Sequence, residues 1–148
     1  MKIENQICTL EQSQKLHELG VEKHKSFLSY WPNPKVLEGG RVEPDGTYEI
    51  MPTDWSRTYA SAVKDSAFTV AELGIMIGNK YTISETTNHK EDDKRWICGD
   101  VFGIDDGDYD YNICKYGATE AEARANILIH LIENRYVTVD EVNQRLTL

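Results

Sequence analysis

The strongest structural signals in this sequence lie in residues 95–134, RWICGDVFGIDDGDYDYNICKYGATEAEARANILIHLIEN. Two segments with the composition of strands, Arg95–Ile104 and Tyr109–Lys115, flank Asp106-Gly107. An Asp-Gly pair between two such segments is typical of a two-residue hairpin turn. We therefore predict an antiparallel hairpin in this part of the chain.

A long helix is predicted directly after that hairpin, over Glu120–Asn134. At about 100° per residue, its small and apolar side chains fall within one narrow sector of the helix. The residues of this sector are Ala121, Ala125, Leu128 and Ile132. We expect this face to pack across the hairpin.

Four capping boxes that begin with threonine mark the starts of the predicted helices. In such a box the Thr hydroxyl accepts from a backbone N–H of the first turn, and the Glu or Gln three residues later accepts from the N–H of the Thr. The boxes are Thr9–Gln12, Thr69–Glu72, Thr119–Glu122 and Thr138–Glu141. They predict helices over Leu10–Leu19, Val70–Ile77, Glu120–Asn134 and Val139–Leu146.

Further strands are predicted upstream of the C-terminal hairpin. Ser26–Trp31 is expected to end at Pro32, because proline lacks the N–H that a strand ladder uses. Lys80–Glu85 is expected to form the strand that precedes the hairpin. Thr53–Phe68 fits a helix and a loop equally well, so its conformation stays open.

A smaller hairpin is predicted around Pro44-Asp45-Gly46, whose residue types are typical of turns. Its strands would be Arg41–Val42 and Thr47–Ile50. All elements together predict an α+β fold, an antiparallel sheet with a C-terminal β-hairpin, covered by the long helix and by shorter helices. A length of 148 residues fits one domain over residues 1–148.

Composition and charge exclude several classes of protein. A hydrophobic fraction of 40% and a charged fraction of 28% are ordinary for a globular chain. No apolar run approaches the ~20 residues of a membrane helix, and Met1–Asn5 lacks the apolar core of a secretory signal. We therefore expect a cytoplasmic protein that does not bind membranes. The net charge of −9 disfavours direct binding to nucleic acid.

The acidic segment Asp105–Asp110 is the first candidate for a metal site. Asp108, Asp110 and Asn112 match the first three ligand positions of a calcium loop. The glycine and the glutamate that such a loop needs further on are replaced by Ile113 and Thr119. Alternation along a solvated strand face is the better interpretation, so we expect neither a metal nor a cofactor.

Residues that could carry covalent chemistry do not converge in the sequence. The histidines His17, His24, His89 and His130 form no metal-binding or catalytic motif. The cysteines Cys8, Cys98 and Cys114 include no CxxC pair, and we expect three reduced thiols. An enzyme is therefore the less favoured class.

Three segments of the chain resemble a known group of proteins. They are Cys8–Gln12 with Leu16 and Leu19-Gly20, Phe68–Gly74, and Glu120–Asn134. Together they look like the small uncharacterised proteins encoded by prophages, phages and conjugative elements of gut bacteria. More loosely, they are similar to phage domains of the ABA-sandwich type. The resemblance implies an accessory protein of a mobile element, and it carries over no catalytic residue.

Four aromatic residues remain as candidates for a binding surface. Tyr30, Trp31, Trp55 and Tyr59 lie beside prolines and polar residues, outside the regular apolar patterns. Exposed aromatic patches usually mark partner sites, so we expect at least two of the four to be exposed.

The leading functional hypothesis is a non-enzymatic accessory protein that binds an unknown protein partner or associates with itself. One alternative is an acidic inhibitor that mimics nucleic acid, with Glu91–Asp93 and Asp105–Asp110 standing in for phosphates. The other alternative is a small-ligand binder or an enzyme of unidentified class.

Overall fold

The computed structural model describes residues 2–54, 64–87, 94–105 and 108–147. Its α-helices are α1 (Leu10–Glu18), α2 (Val70–Ile77), α3 (Glu120–Glu133) and α4 (Val139–Arg145). Its strands are β1 (Leu28–Val36), β2 (Val42–Pro52), β3 (Asp65–Ser66), β4 (Thr82–Thr87), β5 (Lys94–Asp105) and β6 (Asp108–Gly117). The predicted α+β class is confirmed.

Each of the four helices begins at the threonine that the sequence indicates. Complete capping boxes form at Thr9, Thr69 and Thr138. At Thr119 only half of the box forms, because the carboxylate of Glu122 accepts from Ala118 N at 2.9 Å instead of from Thr119 N. Each cap satisfies backbone donors that a helix start leaves free, and this explains why all four starts could be located from the sequence.

The described strands form two antiparallel sheets of three strands each, where the sequence analysis expected one sheet. One sheet has the order β2-β1-β3 and the other the order β4-β5-β6. The C-terminal hairpin is confirmed, because Asp105 of β5 pairs with Asp108 of β6. The long β1–β2 hairpin pairs with β3 and not with the C-terminal strands.

Helix α3 is the centre of the core. It packs on β5 and β6 on one side and contacts α1 and α2 as well. Its buried residues therefore cover more than the predicted sector and are Ala121, Ala123, Ala125, Ile127, Leu128, Leu131 and Ile132. The chain comes very close to the N-terminal half of α3, where the buried residues are alanines. A Cβ on Gly117 would lie 2.3 Å from Ala123 N.

The expectation that β1 ends at Pro32 was wrong. β1 continues through Pro32 and Pro34 to Val36 and pairs with β2 along its length. β3 pairs only with Ser29 and Tyr30, so beyond Tyr30 one edge of β1 faces no other strand of the described residues. Proline is tolerated at such an edge and beside a bulge.

The expectation of a hairpin turn at Pro44-Asp45-Gly46 was also wrong. These residues form a bulge inside β2, in which Asp45–Thr47 stands opposite the single residue Asn33. Asp45 accepts from Thr47 N at 2.7 Å and Gly46 has a φ of 89°, as a turn would require. The chain reverses instead at Glu38–Gly40.

The segment Thr53–Phe68, whose conformation the sequence left open, lies partly outside the described residues, which resume at Lys64. Its described end contains β3 and the buried residues Ala67 and Phe68. No described helix is both long and apolar enough to cross a membrane.

Candidate functional site

The two long strands β1 and β2 form a ribbon, and the register between them sorts its side chains onto two faces. Residues directly opposite each other in an antiparallel pair lie on the same face, and successive residues alternate. On one face lie the pairs Leu28–Pro52, Tyr30–Ile50, Pro32–Tyr48, Pro34–Pro44 and Val36–Val42. None of these ten residues carries a charge. One face of the ribbon is therefore apolar or aromatic from end to end.

The base of this face is part of the core. The hydroxyl of Tyr30 donates to the backbone carbonyl of Cys8 at 2.5 Å, and Pro32 is buried. The ring of Tyr30 meets the ring of Tyr48 edge to face, with 6.4 Å between their centroids. The apolar face thus begins inside the fold and continues outward along the ribbon.

The outer part of the same face is uncovered. Val36 is 71% exposed, Val42 43% and Tyr48 38%, and Pro34 and Pro44 are exposed as well. We call these five residues the distal apolar face. Apolar side chains that are adjacent and exposed on a regular surface are the usual mark of a contact site.

The opposite face of the outer ribbon is charged. Lys35 pairs across the strands with Glu43, and both are exposed; Glu49 is exposed on the same face nearer the base, where it pairs with the buried Trp31. The outer ribbon is therefore amphipathic, with both faces exposed, charges on one of them and no charge on the distal apolar face.

The edges of the ribbon are poorly suited to add a further strand. All four prolines of the sequence lie in it, Pro32 and Pro34 in β1 and Pro44 and Pro52 in β2. Proline lacks the N–H donor, and natural proteins use it to prevent pairing at sheet edges. The faces of the ribbon, not its edges, are thus the surfaces available for binding.

The ribbon is held in place at its base by the buried carboxylate of Glu72 in α2. This carboxylate accepts from Phe27 N at 2.7 Å, from Ser26 Oγ at 3.2 Å and from Thr69 N at 2.8 Å. One residue therefore completes the capping box of α2 and fixes the backbone just before β1. Ser29 and Thr53 add a hydrogen bond of 2.7 Å between their hydroxyls.

The four aromatic residues expected at a binding surface have different positions. Trp31 is fully buried and Tyr30 is half-buried, so neither is an exposed surface aromatic. Trp31 lies on the ribbon face opposite Tyr30, where the ammonium of Lys64 is 4.4 Å from its ring centroid. Trp55 and Tyr59 lie outside the described residues, and their exposure stays a prediction.

The distal apolar face itself was missed by the sequence analysis. Its signal is the alternation of Pro32, Pro34 and Val36 with Asn33 and Lys35, and of Val42 and Pro44 with Glu43 and Asp45. Pro32 predicts a strand end and Pro44 a hairpin turn, and these two expectations hide the alternation. Tyr30, one of the expected binding residues, nevertheless lies on the same face of the ribbon, nearer its base.

Ser13 and His17 lie close enough to suggest a nucleophile and its base, with 3.2 Å between Ser13 Oγ and His17 Nε2. Ser13 is completely buried, however, and its hydroxyl donates to Ser66 O at 2.5 Å. His17 Nδ1 lies 2.9 Å from Val21 O, and Nε2 accepts from Ser66 N at 3.1 Å. These bonds join α1 to β3, so the pair has a structural role.

Cys8 and Cys98 are equally unsuited to nucleophilic chemistry. Burial raises the pKa of Cys8 to about 12 and that of Cys98 to about 11. A thiolate is the reactive form of cysteine, and near neutral pH both residues remain thiols. No disulfide joins Cys8, Cys98 or Cys114.

The weak metal candidate Asp108, Asp110 and Asn112 lies in β6, whose backbone is an extended strand and not a calcium-loop turn. The side chains of these three residues lie outside the described part of the structure. Among the side chains that are described, no group of three or more His, Cys, Asp or Glu residues could hold a metal ion.

A cavity of about 500 Å³ opens at the base of the ribbon, lined by Ser26, Phe27, Pro52, Thr53, Asp54 and Lys64. Its size suits a small ligand. Two of its polar side chains already serve the fold, because Ser26 donates to Glu72 and Lys64 to the carbonyl of Thr53. We therefore place the candidate site on the distal apolar face.

Comparisons of this chain with models of protein families, with curated proteins and with solved structures gave no match.

Proposed function

We propose that the protein is a non-enzymatic accessory protein that acts by binding an apolar protein surface through its distal apolar face. The observation that carries this proposal is the exposure of Val36 and Val42 side by side on an uncharged face that continues into the core. Folding leaves this face in contact with water, and a partner would remove it from water.

The energetic reason for binding is the hydrophobic effect. Complete burial of a valine side chain contributes about 1.5 kcal/mol or more. A partner that covers both valines, Pro34, Pro44 and the ring of Tyr48 therefore gains enough to offset part of the entropy lost on association. In the free chain, the charged residues of the opposite face keep the ribbon hydrated.

The role in a mobile element is supported by the sequence resemblance of the three helical segments. The binding role is supported by the structural roles of the buried and half-buried polar residues. Glu72, Ser13 and His17 make internal hydrogen bonds that hold helices and strands together. In the distal apolar face, Tyr48 contacts the ring of Tyr30, while Val36, Val42, Pro34 and Pro44 are exposed.

The test is a capture experiment with three versions of the tagged full chain in cells of its source. They are the natural chain, a ribbon variant with Val36→Lys and Val42→Lys, and a control variant with Ile75→Lys. Ile75 is 52% exposed on α2, so the control places a lysine on an exposed apolar residue elsewhere and adds one positive charge where the ribbon variant adds two. Circular dichroism and thermal melting verify that each variant folds.

We expect the natural chain and the control variant to capture the same protein in a stoichiometric amount, and this protein can be a second copy of the chain. We expect the ribbon variant to lose it. Binding is then reconstituted with the purified chain and the purified captured protein. If all three versions capture the same proteins in equal amounts, the distal apolar face is not the binding surface and the proposal is wrong.

A further inference from the structure

We infer that the partner of the distal apolar face is the same face of a second copy of this chain. This inference rests on the proposed function and names the partner. The two ribbons would pack face to face about a two-fold axis, at the spacing of roughly 10 Å that is usual for packed sheets.

The chemistry of the face is self-complementary. Val36 with Val42, and Pro34 with Pro44, form two adjacent cross-strand pairs whose side chains contain no polar atoms. Apart from the hydroxyl of Tyr48 at its inner end, the side chains of the distal apolar face offer no hydrogen-bonding or charge pattern that would select a different partner, and they require none from a second copy. A two-fold axis through the face places the same residues on both sides, as in any isologous interface.

Charge favours this face over the other surfaces for contact between two copies. Each chain carries a net charge of −9, so two copies repel one another overall. The distal apolar face is uncharged, and Lys35 and Glu43 lie on the opposite face of the ribbon. Two copies can therefore meet here without bringing carboxylates together.

The area of the face predicts a weak dimer. Five side chains cover less than the ~800 Å² per partner of a standard interface. We therefore expect association in the micromolar to millimolar range. The prolines at the ribbon edges prevent the addition of further strands, and a two-fold contact is closed, so the assembly ends at two copies.

The test is sedimentation velocity of the purified full chain from roughly 1 µM to roughly 1 mM. We expect the natural chain and the Ile75→Lys control to shift from the monomer to the dimer as concentration rises. The ribbon variant should raise the dissociation constant of the dimer at least about tenfold. A second variant, Val36→Thr with Val42→Thr, keeps the β-branched shape and the strand propensity, and it should weaken the dimer without disturbing the ribbon.

A natural chain that is monomeric throughout this range overturns the inference, as does a dimer that the ribbon variant leaves unchanged. The proposed function fails separately. If the natural chain is monomeric but the ribbon variant still loses a different captured protein, only the identity of the partner was wrong. If capture is also unchanged, both statements are wrong.

Discussion

The hydroxyl of Tyr30 donates a hydrogen bond to the backbone carbonyl of Cys8, with 2.5 Å between the two oxygens. This bond joins the apolar face of the ribbon to the segment that precedes α1. Burial raises the pKa of Tyr30, so the hydroxyl remains a donor at all ordinary pH values. The base of the ribbon is thus attached to the core by a hydrogen bond between two uncharged groups, and ordinary pH changes do not break it.

We therefore expect Tyr30→Phe to lower the free energy of unfolding by about 1 kcal/mol, the usual net contribution of a hydrogen bond. The matched control is Tyr48→Phe, which removes a hydroxyl from the more exposed ring on the same face. Urea denaturation followed by fluorescence measures both. Equal midpoints for Tyr30→Phe and the natural chain would show that the bond contributes nothing to stability.

A second prediction concerns Glu72, whose buried carboxylate accepts from the backbone of two separate segments. In Glu72→Gln an amide NH₂ must face at least one of these donors, so we expect a loss of about 1–3 kcal/mol. Glu141→Gln is the control, because Glu141 occupies the equivalent position of the capping box of α4 but is exposed. Chemical denaturation of both variants measures the difference. A loss as small as that of the control would contradict the role given to Glu72.

Leu128 in α3 tests the position of the core. It is completely buried between the C-terminal sheet and the other helices. Leu128→Ala should lower the free energy of unfolding by ~2–5 kcal/mol, through lost burial and the cavity left behind. Ile75→Ala, at an exposed apolar position, should change it little. A denaturant midpoint unchanged by Leu128→Ala would remove this residue from the core.

The stability of the protein should fall in mild acid because of His17. Burial lowers the pKa of this imidazole below its ordinary 6.5, and a proton on Nε2 would face Ser66 N–H. The unfolded chain takes up a proton near pH 6.5 while the folded chain resists it. The free energy of unfolding is therefore highest above pH 6.5 and decreases as the pH falls from 6.5 toward the lowered pKa.

Two charged groups modify the titration of His17. Asp65, which also bonds to Lys23, raises the pKa of the imidazole, and Lys23 lowers it. The measurement is urea unfolding at a series of pH values for the natural chain and for His17→Gln. The natural chain should lose more stability than the variant between about pH 7 and about pH 5.5. Parallel curves would contradict this assignment.

The helices and the C-terminal hairpin could be predicted from the sequence because their signals are local. A Thr cap is satisfied within three residues, and Asp106-Gly107 needs only the strands on either side. The ribbon could not be predicted in this way. Pro44-Asp45-Gly46 has the residue types of a hairpin turn, but the same types form a bulge when the partner strand pairs on both sides of it.

For the same reason, only part of the candidate site could be predicted from the sequence. Tyr30 was identified as a binding residue from its type and its neighbours, and it lies at the base of the apolar face. Trp31 was expected beside it, but alternation places Trp31 on the other face, where Lys64 covers it. The face on which each of two neighbouring aromatic residues lies depends on the register between β1 and β2. Residues far apart in the sequence set that register.

The most direct test of the distal apolar face is NMR spectroscopy of the methyl groups of the full chain, recorded from about 10 µM to about 1 mM. We predict that the methyl signals of Val36 and Val42 move together as concentration rises, while those of Ile75 stay fixed. The Thr substitutions at both valines should weaken the movement of the remaining signals of the ribbon. Valine signals that stay fixed while the signals of another surface move would contradict the account.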